Sequence, residues 1–265
     1  MRKIVPAIAL LVCLFVLPHA AAQTQSQVGE WGPVLDWAYQ GKHMVLLPNG
    51  KVLVWRTGDT ARVWDPATGT FTITPALFGD LHCAAQATLA DGRIIVIGGQ
   101  MVSTHVGIKV TALFDHTTNT WTPGAEMAYA RWYPTATTLA NGHLLATNGD
   151  DETGTLVTIP EVYDPATNTW RQLTAANRSQ ALYSFMYQLP NGKVYEAAPK
   201  TDTAYLDVSG NGSWTSGPVS QWTTNGYSES GAMYEPGKII RAGGGDPAMT
   251  RTAIIDMTAA NPLWQ

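Results

Sequence analysis

One pattern recurs five times along the chain: an apolar run, a short turn ending in glycine, and a second apolar run. The copies read MVLLPNGKVLVW, QATLADGRIIVIGG, TATTLANGHLLATNG, FMYQLPNGKVYEA and GAMYEPGKIIRAGGG, with turn glycines Gly50, Gly92, Gly142, Gly192 and Gly237. Their spacing is roughly 42 to 50 residues, the length of a propeller blade. Each hairpin runs into a second one: VWDPATGTF, LFDHTTNTW, VYDPATNTW, YLDVSGNGSW and IIDMTAANPLW. Asp65, Asp115, Asp164, Asp207 and Asp256 open these turns, and Phe71, Trp121, Trp170, Trp214 and Trp264 follow them. An Asp carboxylate can cap such a turn, and Gly69, Asn119 or Asn168 tolerates the left-handed conformation that closes it. The aromatic residues are then expected to pack between blades.

Two hairpins per repeat make four strands. With Gly98-Gly99 and Gly243-Gly244 after the second strand and an aromatic residue near the fourth, the pattern predicts an all-β, kelch-type β-propeller of four-stranded blades. No Gly-His to Trp-Asp pairing of the WD40 kind recurs at that period. Closed propellers have about 4 to 8 blades, and the fifth repeat leaves no strand over to seal a ring. The expectation over 23–265 is therefore an incomplete, open part of a larger propeller, with five blades closing on themselves as the alternative.

Charge limits the partners. The chain carries a net charge of −4 with 14% charged residues, and it has no basic patch, charge run or low-complexity tract. Nucleic acid is excluded on that ground, and a neutral or weakly polar ligand is favoured. At the start, Met1-Arg2-Lys3, an apolar run from Ile4 to Leu17 and Ala20-Ala21-Ala22 before Gln23 predict a signal peptide over 1–22. The run is shorter than the roughly 20 apolar residues of a membrane span, so the expected product is secreted, with no membrane association after cleavage.

Removal of Cys13 would leave Cys83 as the single cysteine of an exported protein. Such a thiol is buried, reactive, or bonded to something other than cysteine. Cys83 lies nine residues before Gly92; the same offset gives Tyr133 before Gly142, Tyr183 before Gly192 and Ser228 before Gly237. The first strand of a blade lines the propeller axis, so inner strands are expected near 83–89, 133–139 and 183–189. These four residues then form part of an axial ring, unless strand alternation or a bulge turns one outward.

The stretch HCAAQATLADGRIIVIGG, followed by ARWYPTATTLANG, resembles the copper radical oxidases, the galactose oxidase and glyoxal oxidase family. The resemblance implies that Cys83 and Tyr133 are joined by a thioether into a redox cofactor and that Tyr133 ligates one copper ion. It also implies oxidation of small aldehydes or primary alcohols by dioxygen, with hydrogen peroxide as product. The family takes further ligands from a Tyr-His pair in a later blade and from a His of a C-terminal β-domain; no Tyr-His dipeptide occurs in these 265 residues. After LLATNG, where some members carry a Trp that stacks on the modified Tyr, the sequence reads Asp150-Asp151-Glu152. The resemblance thus implies half of a cofactor and one copper ligand, Tyr133.

Arg131 and Trp132 before Tyr133, and Arg178 before Tyr183, are candidates to line a substrate pocket with Tyr183 and Ser228, or to brace the loops instead. His82 is expected to pack or touch the site indirectly, because neighbouring strand residues face opposite sides. His43, His105, His116 and His143 lack metal-ligand spacing and are expected at the surface. The acidic turn Asp150-Asp151-Glu152 suits a cation or plain solvation. A second reading stays open: a non-catalytic kelch propeller that binds carbohydrate or protein, with Cys83 buried and Tyr133 lining the channel.

Overall fold

The computed structural model describes residues 31–37, 39–57, 60–75, 79–101, 104–224 and 229–265. The leader expected over 1–22 and the candidate Ser228 lie outside the described residues. All the strands belong to the compact unit Gln40–Gln265.

Alternating apolar runs cut by Asn-Gly, Asp-Gly and Pro-Gly turns can bury themselves only as sheets, and the described residues contain strands and no helix. Blade 1 consists of β1 (His43–Leu46), β2 (Val52–Trp55), β3 (Arg62–Asp65) and β4 (Thr70–Ile73). Blade 2 has β5 (Ala85–Thr88), β6 (Ile94–Ile97), β7 (Thr111–Asp115) and β8 (Thr120–Pro123). Blade 3 has β9 (Thr135–Thr138), β10 (Leu144–Thr147), β11 (Glu161–Asp164) and β12 (Thr169–Gln172). Blade 4 has β13 (Phe185–Gln188), β14 (Val194–Ala198), β15 (Ala204–Asp207) and β16 (Ser213–Ser216). Blade 5 has β17 (Glu229–Glu235), β18 (Lys238–Gly243) and β19 (Thr252–Asp256). Each sheet is an antiparallel meander in chain order. In the fifth, Ile254 exchanges both backbone hydrogen bonds with Gln265, each 2.9 Å, so the chain occupies the fourth position without forming a full strand.

The turns obey the local chemistry read from the sequence. Asp65, Asp115, Asp164, Asp207 and Asp256 each accept, through Oδ1, the N–H two residues ahead, at 2.8–2.9 Å. Asn119 and Asn168 sit at φ 54° and 53°, where an Asn is tolerated and a β-branched residue would be strained.

Period-two alternation places the core. Every residue of β6 is buried, but Ile94 and Val96 pack with Leu53, Trp55 and Val63 of blade 1, whereas Ile95 and Ile97 pack with Leu144, Ala146 and Tyr163 of blade 3. Two further apolar layers join blade 3 to blade 4 and blade 4 to blade 5. Each such side chain contributes about 1.5–3 kcal/mol when withdrawn from water. The tryptophans that follow the last four outer turns peg neighbouring segments together through the indole N–H: Trp121 to Thr74 Oγ1 (3.1 Å), Trp170 to Thr111 Oγ1 (3.1 Å), Trp214 to Ala176 O (2.9 Å) and Trp264 to Tyr195 Oη (3.2 Å).

Among the described residues no apolar layer joins blade 5 to blade 1. Met44, Leu46 and Ile73 of blade 1 and Tyr234, Ile254 and Leu263 of blade 5 are exposed, Leu46 and Leu263 at 70%. The five blades form an open series with two uncovered faces.

Candidate active site

The inner strands begin two residues later than expected: β5, β9 and β13 start at Ala85, Thr135 and Phe185. The positions nine before the turn glycine therefore precede the strands. Cys83, Tyr133 and Tyr183 all adopt left-handed backbone, at φ 60°, 59° and 52°. For side chains of this bulk that conformation costs on the order of 1–3 kcal/mol each and persists only when the surroundings impose it.

The surroundings here are a ladder around the axis. Tyr133 N–H donates to the Cys83 carbonyl (3.1 Å), and Tyr183 N–H donates to the Tyr133 carbonyl (3.2 Å). The Gly98-Gly99 pair makes room for the segment before Tyr133: Gly99 N–H donates to Arg131 O (3.0 Å), and a Cβ on Gly98 would stand only 2.3 Å from that oxygen.

Three rings and a thiol result. Trp132 stacks on Tyr133 with centroids 3.7 Å apart and planes 14° apart; Tyr183 stacks on Tyr133 at 4.4 Å and 25°. Two rings this close and this parallel to a third would overlap each other if they shared a face, so Tyr133 lies between them. Cys83 is buried. Burial pushes its thiol above the ordinary range, and hydrogen bonding with the Tyr133 side chain offsets part of that rise. Burial, then the proximity of Cys83 and Tyr133, holds the Tyr183 phenol far above its usual range, so it stays protonated. Below this cluster an axial pocket of about 420 Å³ is lined by His43, Gln86, Thr135, Tyr183, Phe185 and Tyr187 among others.

The stacked Trp132 differs from expectation. No Trp follows LLATNG, yet an indole covers Tyr133 all the same, supplied by its own chain neighbour. Asp150 fixes it, through paired backbone bonds with Trp132 of 2.7 and 2.8 Å. Asp151 spends its Oδ1 on Thr153 and Thr155 N–H groups (2.8 and 2.9 Å), which makes the acidic turn a self-capped loop.

The two arginines brace loops and do not line the pocket. Arg131 is fully buried, giving hydrogen bonds to Asn148 O (2.6 Å), Ile159 O (2.7 Å) and Glu161 Oε1 (3.0 Å). Arg178 pairs with Glu196 (2.7 Å) and lies 5.5 Å from the Trp214 ring. A buried charge needs a partner, and the sequence separations of these pairs gave no local signal.

His43 is the residue that sequence reasoning missed. It was expected at the surface; instead it lines the pocket, and its Nε2 accepts the Cys83 N–H (3.1 Å). Burial, opposed in part by a hydrogen bond with Gln86, lowers its pKa to about 4. His82 packs edge-on to His43 at 6.2 Å, the indirect role expected of it. His105 is exposed, its ring 5.4 Å from Trp132, and His143 sits 3.7 Å from the Asp164 carboxylate.

A kelch-motif family model matches residues 82–128. Galactose oxidase of Gibberella zeae is 28% identical over 218 residues, 71% of this chain and 31% of that protein. A fungal alcohol oxidase of the AA5 family, solved in complex with copper, superposes with a TM-score of 0.74 at 24% identity, over 90% of this chain and 55% of that one. The chain is a kelch-type β-propeller that is similar to galactose oxidase. An F-box/kelch-repeat protein of Arabidopsis thaliana is also similar, 27% identical over 46% of this chain and 32% of that protein. The chain thus spans about a third of the length of the curated galactose oxidase it matches. Among its described residues, no group of three or more His, Cys, Asp or Glu gathers as a metal site. Tyr133 offers one phenol oxygen, and His43 Nε2 is already engaged by a backbone N–H; these residues alone do not make up a copper ligand set.

Proposed function

We propose that the axial cluster is the thiol–phenol part of a copper radical oxidase centre, in an exported protein that oxidises small aldehydes or primary alcohols with dioxygen and releases hydrogen peroxide. The observation that carries the reading is the packing of Cys83 beside Tyr133, both strained into left-handed backbone and hydrogen-bonded in sequence around one axis. The similarity to galactose oxidase supports the chemistry, and the basic, apolar, small-residue start of the chain supports export.

The chain's own residues do three things in this reading. The ladder aims the Cys83 sulfur at the Tyr133 ring. Joining them releases the thiol hydrogen and one ring hydrogen, and dioxygen takes the two electrons and two protons to become hydrogen peroxide. A sulfur-substituted phenol then loses an electron more readily than a plain one, and the sandwich of Trp132 and Tyr183 shields it from water. Copper, when bound, supplies the second redox equivalent; this chain assigns it only Tyr133. The Tyr183, Phe185 and Tyr187 walls suit a small substrate with an apolar body.

The protein in the longest form its gene encodes, supplied with copper and air, is to be assayed for hydrogen peroxide with methylglyoxal, glyoxal, benzyl alcohol and galactose, beside Cys83→Gly and Tyr133→Phe. Peroxide that depends on both residues is expected. Peroxide from either variant at the wild-type rate, or carbohydrate binding without turnover, would favour a non-catalytic kelch binding module.

A further inference from the structure

Two contacts from blade 1 grip the segment that carries Cys83. Trp55, fully buried on β2, donates its indole N–H to Leu81 O at 3.0 Å. His43, opposite it on β1, stacks flat on that indole, centroids 4.9 Å apart and planes 5° apart, and accepts the Cys83 N–H through Nε2. One end of the Leu81–His82–Cys83 segment is thereby held through its carbonyl and the other through its N–H, by two rings that also hold each other.

The place of this grip in the repeat is informative. At the third and fourth blades the ring is closed by backbone: Tyr133 and Tyr183 donate to the preceding blade's carbonyl. At Cys83 the preceding position in blade 1, nine before Gly50, is Gly41, and an imidazole takes the place of that carbonyl. A side-chain acceptor is an addition to the repeat.

We propose that His43 and Trp55 form a positioning clamp that holds Cys83 in left-handed backbone and keeps its thiol aimed inward at Tyr133. The imidazole must be neutral to accept at Nε2, and its burial keeps it so at neutral pH. Its significance for catalysis rests on the function proposed above; the clamp itself is testable without copper.

The test is the rate at which iodoacetamide alkylates Cys83 in the metal-free protein under native conditions. Cys83 is 6% exposed, so alkylation reports release of the segment. His43→Leu, which removes the acceptor, is expected to speed alkylation about fivefold, the effect of losing one net hydrogen bond. His43→Gln, whose carbonyl oxygen can reach the place of Nε2, is expected to restore most of the protection. Trp55→Phe should give a similar acceleration, since it keeps a ring under His43 and loses the N–H to Leu81. Val63→Ala, a core truncation in the same blade, controls for general loosening and should leave the rate unchanged. The clamp is overturned if His43→Leu alkylates at the wild-type rate, if His43→Gln is no better than His43→Leu, or if Val63→Ala accelerates as much. Failure of the oxidase reading shows separately, as a normal clamp in a protein that never joins Cys83 to Tyr133.

Discussion

Arg131→Met asks what holds the Tyr133 segment against the propeller. The guanidinium is wholly buried and gives three hydrogen bonds, to Asn148 O, Ile159 O and the equally buried Glu161 carboxylate. Removing it strands that carboxylate with only the N–H groups of Ala128 (2.7 Å) and Tyr129 (3.3 Å). Breaking a buried pair from one side costs about 3–5 kcal/mol, most of it the uncompensated charge. With a urea dependence of about 3 kcal/mol per molar, the upper end that a chain of this size calls for, the unfolding midpoint followed by tryptophan fluorescence should fall by roughly 1–2 M. Glu161→Gln alone should also be costly, because it leaves the buried guanidinium unpaired. The double variant should be milder than the two single effects added, by about 2 kcal/mol or more, since the stranded charge is gone from both sides. Strict additivity, or an Arg131→Met cost below about 1 kcal/mol, would refute the pairing as the segment's anchor.

His43 binds its proton less readily in the fold than in the unfolded chain, its pKa moving from 6.5 to about 4. The unfolded state therefore takes up more protons between these values, and stability should rise as pH increases from about 4 to 6.5 and stay level above, by about 3 kcal/mol in all. His82 is shifted the same way by burial, so His43→Gln should flatten this rise without abolishing it in urea titrations at successive pH values. The two uncovered blade faces should associate in the isolated chain; Leu46→Lys with Ile254→Lys, both exposed positions, should shift sedimentation toward monomer, and an unchanged distribution would place the contact elsewhere.

The propeller was legible because its signals are local. An Asp that caps a turn two residues on, or a Gly or Asn that closes one, acts over a few bonds, and all five outer turns formed as read. The offset of nine residues likewise brought Cys83, Tyr133 and Tyr183 to one axis. Their left-handed backbone was not legible, since neither Cys nor Tyr favours it; it is imposed by interblade hydrogen bonds, and it delays each inner strand by two residues. Long-range pairing hid the rest. Arg131 finds Glu161 thirty residues away and leaves the pocket wall, and His43 reaches Cys83 across forty residues from a strand whose sequence, HMVL, carries no mark of a polar task. Trp132 covers Tyr133 from a position where a stacking ring was not sought.

The most direct measurement is peptide mapping of the copper- and oxygen-treated protein in the longest form its gene encodes. Trypsin should cut after Arg62, Arg93, Arg131 and Arg171, placing Cys83 in 63–93 and Tyr133 in 132–171. These two peptides are expected to emerge as one species, lighter than their sum by two hydrogen atoms and resistant to reductant, and to separate again in Cys83→Gly. Two separate peptides after full treatment, with Cys83 open to alkylation once unfolded, would contradict the thiol–phenol centre.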